Sequence, residues 1–158
     1  MRAAALAEPV PTVSLETEAL TAVRMIGQAT LPGLIVCERD GTPHTVLGGS
    51  QVLRFMIPRY IQDDPALARV YDDISSERLL GKLSYKLVSD LLPRRQDRDD
   101  LPVVNGNATT MEIAAVMARL HSPIVAVLEG GRVVGAVTVS RLFDHLFPDL
   151  PPAEDPAS

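Results

Sequence analysis

The sequence predicts an α+β fold made of a tandem pair of β-α-β-β-α repeats related by pseudo-twofold symmetry, and three observations predict it. Residues 34–47 and 124–137 each read as an apolar run, a Gly-bearing polar turn and a second apolar run, at a spacing of 90 residues without a gap. Each of these segments has a stretch of helical period in front of it and a shorter one behind it. Ahead of each first helical stretch stands one more short extended segment. A sheet built this way leaves one face in need of cover, and two copies can cover each other.

Each element follows from local chemistry. Val10-Pro11-Thr12-Val13 opens the first repeat as a strand. Ala19, Leu20, Ala22, Val23 and Ile26 then form an apolar stripe at helical spacing, with Glu16, Thr17 and Glu18 offering capping groups. Pro32-Gly33 stops that helix, and the first hairpin follows. A short helix from Gln51 to Met56 ends before Pro58. In the second repeat Leu101-Pro102-Val103-Val104 is the strand, and Ile113, Val116, Met117 and Leu120 make the stripe. Thr109 or Thr110 with Glu112 caps it, and Ser122-Pro123 stops it. Ser140 to Phe147 is the closing helix. The repeats are expected at residues 9–58 and 101–147, with a partly helical linker at 59–100 and a disordered tail at 148–158. In the linker Asp64-Pro65 reads as a helix start, and Leu79, Leu80, Leu83, Leu87 and Leu91 recur at helical spacing. The run from Arg94 to Asp100 reads as a solvated loop.

Composition narrows the function. The 158 residues carry a net charge of −5, which opposes phosphate-backbone binding, and 4% aromatics leave few faces for bases to stack on. No nucleic-acid partner is expected. One cysteine, Cys37, excludes an internal disulfide and a cysteine-based zinc site. No apolar run approaches the roughly 18 residues of a membrane span, and the apolar stretch after Arg2 ends at Glu8-Pro9, short of a signal peptide. A cytoplasmic protein without membrane insertion is expected.

The order and duplication of these segments resemble a cystathionine-β-synthase (CBS) domain pair, or Bateman module, of the stand-alone bacterial kind. The second copy carries the likeness best, through Val88-Ser89-Asp90-Leu91-Leu92, Leu101-Pro102-Val103-Val104, Asn107 to Met117, His121 to Val127, and Arg132 to Thr138. The resemblance implies a non-enzymatic regulatory module that dimerises and binds adenosine compounds in two clefts. It also implies a ligand motif of Gly, two apolar residues, Thr or Ser, two residues, then a ribose-binding Asp. Gly135, Thr138 and Arg141 occupy the second copy's motif, with Arg141 at the Asp position. Gly48 and Gln51 occupy the hydroxyl and Asp positions of the first copy. On this likeness Val103, Val104 and Ile124 wall the base and Arg141 meets phosphate, because a guanidinium cannot accept a ribose hydroxyl. An ATP, ADP or AMP ligand is expected, with ATP and ADP ahead of AMP and AMP ahead of adenosine. The effector it would act on is a separate, unknown protein. The alternative is a ligand-independent dimerisation or docking subunit with vestigial clefts.

The remaining candidates have plainer readings. Thr138 with Arg141 reads either as an anion site at a helix N-terminus or as a cap beside a surface Arg. Gly48-Gly49-Ser50 reads either as a phosphate cradle or as a strand-to-helix turn with unusual glycine dihedrals. Cys37, within an apolar strand, reads as a buried inert thiol. His44, His121 and His145 share no metal-ligand spacing, and the adjacent Asp pairs diverge in direction. Hence no enzyme is expected. Val52, Leu53, Phe55 and Met56 with Leu142, Phe143 and Leu146 make apolar helix faces suited to a homodimer.

Overall fold

The structure is a computed structural model that describes residues 1–70, 75–92 and 101–151. Strands β1 (Thr12–Ser14), β2 (Gly33–Cys37) and β3 (Pro43–Gly48) form one sheet in that order. Strands β4 (Val103–Asn105), β5 (Ile124–Glu129) and β6 (Arg132–Thr138) form the other. In both sheets the first pair is parallel and the second antiparallel. Helices α2 (Ala19–Ala29) and α7 (Thr110–Leu120) make the crossovers, and α3 (Gly49–Met56) and α8 (Val139–Leu146) follow the hairpins. Two β-α-β-β-α repeats are therefore present, as the duplication predicts.

The central strands bury both faces, which explains their unbroken apolar runs. Leu34, Val36 and Leu47 pack with Ala19, Ala22 and Val52 on the helix side of the first sheet. Val125, Val127 and Val137 do the same with Ile113, Met117 and Leu142 in the second. The alternate residues Ile35, Ile124, Ala126 and Ala136 meet between the sheets. Each repeat thus covers the other's open face.

Four details differ from the sequence reading. The gapless spacing holds for only one strand of the hairpin. Leu34 pairs with Leu47 as Val125 pairs with Val137, so the equivalents lie 91 residues apart on the first strand and 90 on the second. The turn lengths account for the slip. The second hairpin closes through Gly130 and Gly131, both with positive φ, whereas the first uses a longer turn with Gly41 at φ 86°. There Asp40 accepts from the Thr42 hydroxyl at 2.7 Å and its N–H at 3.0 Å, contacts that hold its carboxyl below the usual range.

The second difference is at the helix starts. Thr109 and Glu112 form the expected reciprocal cap. At α2 no side chain caps, and the Ala19 N–H donates to the Lys86 carbonyl at 2.9 Å instead. The third lies in the linker, which holds α4 (Arg59–Asp63), a 3₁₀ turn (Pro65–Val70), α5 (Ser75–Leu83) and α6 (Val88–Leu91). Its leucine row is not one helix. Tyr85 turns left-handed at φ 63°, and residues 86–89 run beside 15–19, with Val88 N–H donating to Thr17 O at 2.8 Å. A continuous helix would have kept those backbone groups for itself. The run Arg94 to Asp100, the pair Asp72-Asp73 and the tail from residue 152 lie outside the described residues.

The fourth is a helix ahead of the expected first repeat, α1 (Ala3–Leu6). Ala3 and Leu6 are buried in the core of the second repeat, not the first. Conversely α6, just ahead of the second repeat, places Val88 and Leu91 in the core of the first. Arg2 bridges Thr109 and Leu87 bridges Glu18 in matching fashion. The leading segments are exchanged between repeats. Truncating a buried leucine typically costs about 2–5 kcal/mol. Leu6→Ala should therefore lower the urea-unfolding free energy by that amount, and a loss below about 1 kcal/mol would show that α1 is not part of this core.

Candidate functional site: a cleft between the repeats

The exchange of α1 brings the N-terminal segment across the end of the second sheet. Glu8 N–H donates to Ala136 O at 2.9 Å and Ala136 N–H to Glu8 O at 3.0 Å, an antiparallel bridge on the edge of β6. Gly135 permits this approach. A Cβ there would lie 2.8 Å from the Glu8 carbonyl oxygen and 3.1 Å from the Ala7 Cβ. The glycine expected in a ligand motif is occupied by the chain's own N-terminal segment.

Beside this crossing lies an open cleft of about 750 Å³. The second repeat lines it with Pro123, Thr138, Val139 and Ser140, the first with Ile26, Gly27, Thr30, Leu31 and Pro32, and the N-terminal segment with Glu8. Thr138 is the N-cap of α8, its Oγ1 accepting the Arg141 N–H at 3.3 Å and lying 3.1 Å from Ser140 Oγ. Thr138 therefore caps α8 and also stands in the wall of the cleft. Thr30, with φ 51°, ends α2 in the left-handed conformation at the cleft wall, and His121 does the same at the equivalent end of α7.

Arg141 does not point a free guanidinium at this space. Its Nε donates to the Leu6 carbonyl at 3.4 Å and lies 3.6 Å from Glu8 Oε1. The expected order of ATP and ADP over AMP over adenosine rested on an unpaired Arg141, and here its Nε side faces Leu6 and Glu8. Nothing in the sequence joins Glu8 to Arg141 except the fold.

The other expected positions separate. Val104 is buried in the core under α7 and cannot wall a ligand there. Ile124 is buried, and Val103 half-buried, in the contact between the sheets. Gln51 is spent locally, its Oε1 accepting the Gly48 N–H at 3.0 Å. Gly48 itself is extended (φ −79°, ψ 150°), so no unusual dihedral demands glycine there. A Cβ on Gly48 would make only an ordinary contact with Ser50 Oγ at 3.8 Å, and one on Gly49 would meet open space.

A second groove of about 510 Å³ runs along the end of the first sheet, past Ser14, Glu16, Cys37, Glu38, Asp40 and Thr42. Cys37 is half-buried rather than fully enclosed, and burial pushes its thiol up, against thiolate chemistry. His44 Nδ1 lies 2.8 Å from Glu38 Oε1. Among the described residues no group of three or more His, Cys, Asp or Glu could hold a metal ion, and no helix is long and apolar enough to cross a membrane.

The Thr138 cap makes a direct prediction. Thr138→Ala should destabilise the fold by about 1 kcal/mol in denaturant unfolding, the usual loss of an N-cap hydroxyl. An unchanged midpoint would free the hydroxyl from any structural role.

Comparison with known proteins agrees with this architecture. The CBS domain model matches residues 88–148. The crystal structure of a CBS domain-containing protein of unknown function from Kribbella flavida is 44% identical, with 92% of this chain and 98% of that one covered at a TM-score of 0.78. CBSX2, a CBS-pair protein from Arabidopsis thaliana solved in complex with AMP, is 16% identical over 93% of this chain and 96% of its own, at a TM-score of 0.64. Hypoxic Response Protein I, solved with two coordinated zinc ions, is 18% identical over 96% of this chain and 100% of its own, at 0.65. No curated protein matches. With two repeats of the same β-α-β-β-α plan, sheets facing each other, and this likeness along nearly its whole length, the chain belongs to the CBS-domain family.

Proposed function

We propose that this chain is a non-enzymatic regulatory module, working in the cytoplasm, that binds an adenine nucleotide or nucleoside in the cleft at Thr138 and modulates a separate partner protein. The observation that carries the reading is the composition of the cleft, whose walls come from both repeats. A ligand seated there touches both halves, so its affinity depends on how they sit together. Such differential binding is what allows a ligand to shift a conformational equilibrium. The AMP complex of CBSX2 supports the ligand class. The polar groups lining the cleft are hydroxyls and a carboxylate, groups that suit the hydroxyls of a ribose.

A ligand bound only by the folded state stabilises it by about 2.7 kcal/mol at a hundredfold excess over Kd. AMP should therefore raise the thermal midpoint of the wild-type chain, and raise it less for Thr138→Ala. No shift at millimolar AMP would exclude the reading.

A second observation favours a homodimer as the working form. Phe143 on α8 and Phe147 just past its end are 55% and 52% exposed with their rings 6.2 Å apart, and Leu53 on α3 is 55% exposed. Two-fold pairing would bury these apolar faces. Light scattering should give twice the chain mass at micromolar concentration, and Phe143→Glu should give the monomer. A wild-type monomer would remove the dimer from the proposal.

A further inference from the structure

Resting on the nucleoside-binding reading above, we propose that Glu8 sets the charge selectivity of the cleft. Its carboxylate holds Arg141 and stands in the lining, so that a hydroxyl-bearing ligand of low negative charge is accepted and a polyphosphate is disfavoured. Three observations converge on this residue. Glu8 is the one charged side chain among the described residues that line the cleft. The same carboxylate lies 3.6 Å from the Arg141 Nε, the nearby cation that an anionic ligand would otherwise recruit. Its backbone is pinned by the two-way bridge to Ala136, and Gly135 leaves room for that crossing, so the carboxylate is delivered to this spot by the fold.

The electrostatics follow directly. A phosphate approaching Thr138 and Ser140 meets a like charge. At Arg141 it competes with Glu8, whose carboxylate already lies 3.6 Å from the guanidinium Nε and offsets part of its charge. A ribose hydroxyl meets the opposite situation, because a carboxylate is an acceptor-only group with several lone pairs. Glu8 is about half exposed, so solvent screens its charge and its contribution is a bias rather than a block.

The test is a calorimetric titration of adenosine, AMP and ATP into the wild-type chain, Glu8→Gln and Glu8→Asp at low salt. Glu8→Gln keeps the backbone bridge and the side-chain shape while removing the charge. We expect the wild-type chain to favour adenosine and AMP over ATP. In Glu8→Gln the ratio of ATP to adenosine affinity should rise about tenfold, shrinking as salt is added. Glu8→Asp should retain the wild-type ratio, and Glu8→Ala can replace Glu8→Gln if the latter folds poorly. Adenosine or AMP binding with an unchanged ratio in Glu8→Gln and Glu8→Ala would overturn the role of Glu8 and leave the nucleoside reading standing. Absence of binding by all three ligands to every variant would overturn the reading itself, and the role of Glu8 with it.

Discussion

A three-stranded sheet with helices on one face has a second face that cannot stay in water, and the structure depends on how that face is covered. Here the cover is the other repeat. Ile35, Ile124, Ala126 and Ala136 form the contact, and two of the four are alanines. Small residues let the two sheets approach closely, and the half-buried Val10, Val46, Val103 and Val133 close its edges. Neither repeat could keep its sheet dry alone, so the pair is the folding unit.

The exchange of leading segments reinforces that unit. Helix α1 precedes the first repeat in sequence but fills the core of the second, and α6 precedes the second but fills the core of the first. Pulling the repeats apart therefore exposes Leu6 and Leu91 as well as the central contact. The cleft lies where this exchange meets the sheet ends. Its walls combine the end of α2, the start of α8 and the N-terminal segment. Movement between the repeats would change the shape of that space, so a molecule seated there would bias how the repeats sit together.

Local demands also decide the fate of several polar groups. Thr138 and Gln51 stand at equivalent strand-to-helix junctions, and both satisfy backbone N–H groups that a helix start leaves without partners. Thr138 retains its place on the cleft wall while doing so, whereas Gln51 turns its amide oxygen back onto Gly48. Thr45 is a different case: its hydroxyl is buried in the first repeat without a hydrogen-bond partner among the described residues.

The sequence by itself determined the repeats, the crossover helices and the two hairpins, because each rests on periodicity or turn chemistry within a few residues. The unbroken apolar runs of β2 and β5, the Thr109–Glu112 cap and the Gly130-Gly131 turn are all local signals. Thr138 was legible for the same reason, as a hydroxyl between a strand and a helix. Tertiary structure alone decided where α1 docks, how the leucine row breaks at Tyr85, and that Val104 belongs to a core rather than a cleft. It also decided the pairing of Arg141. The guanidinium binds the Leu6 carbonyl 135 positions away and the neighbouring Glu8 carboxylate, and no local pattern links groups so distant in the chain. Periodicity specifies which face of an element is apolar. Which distant segment comes to lie on that face is set by the packing of the whole, because the contact exists only once both sheets have closed.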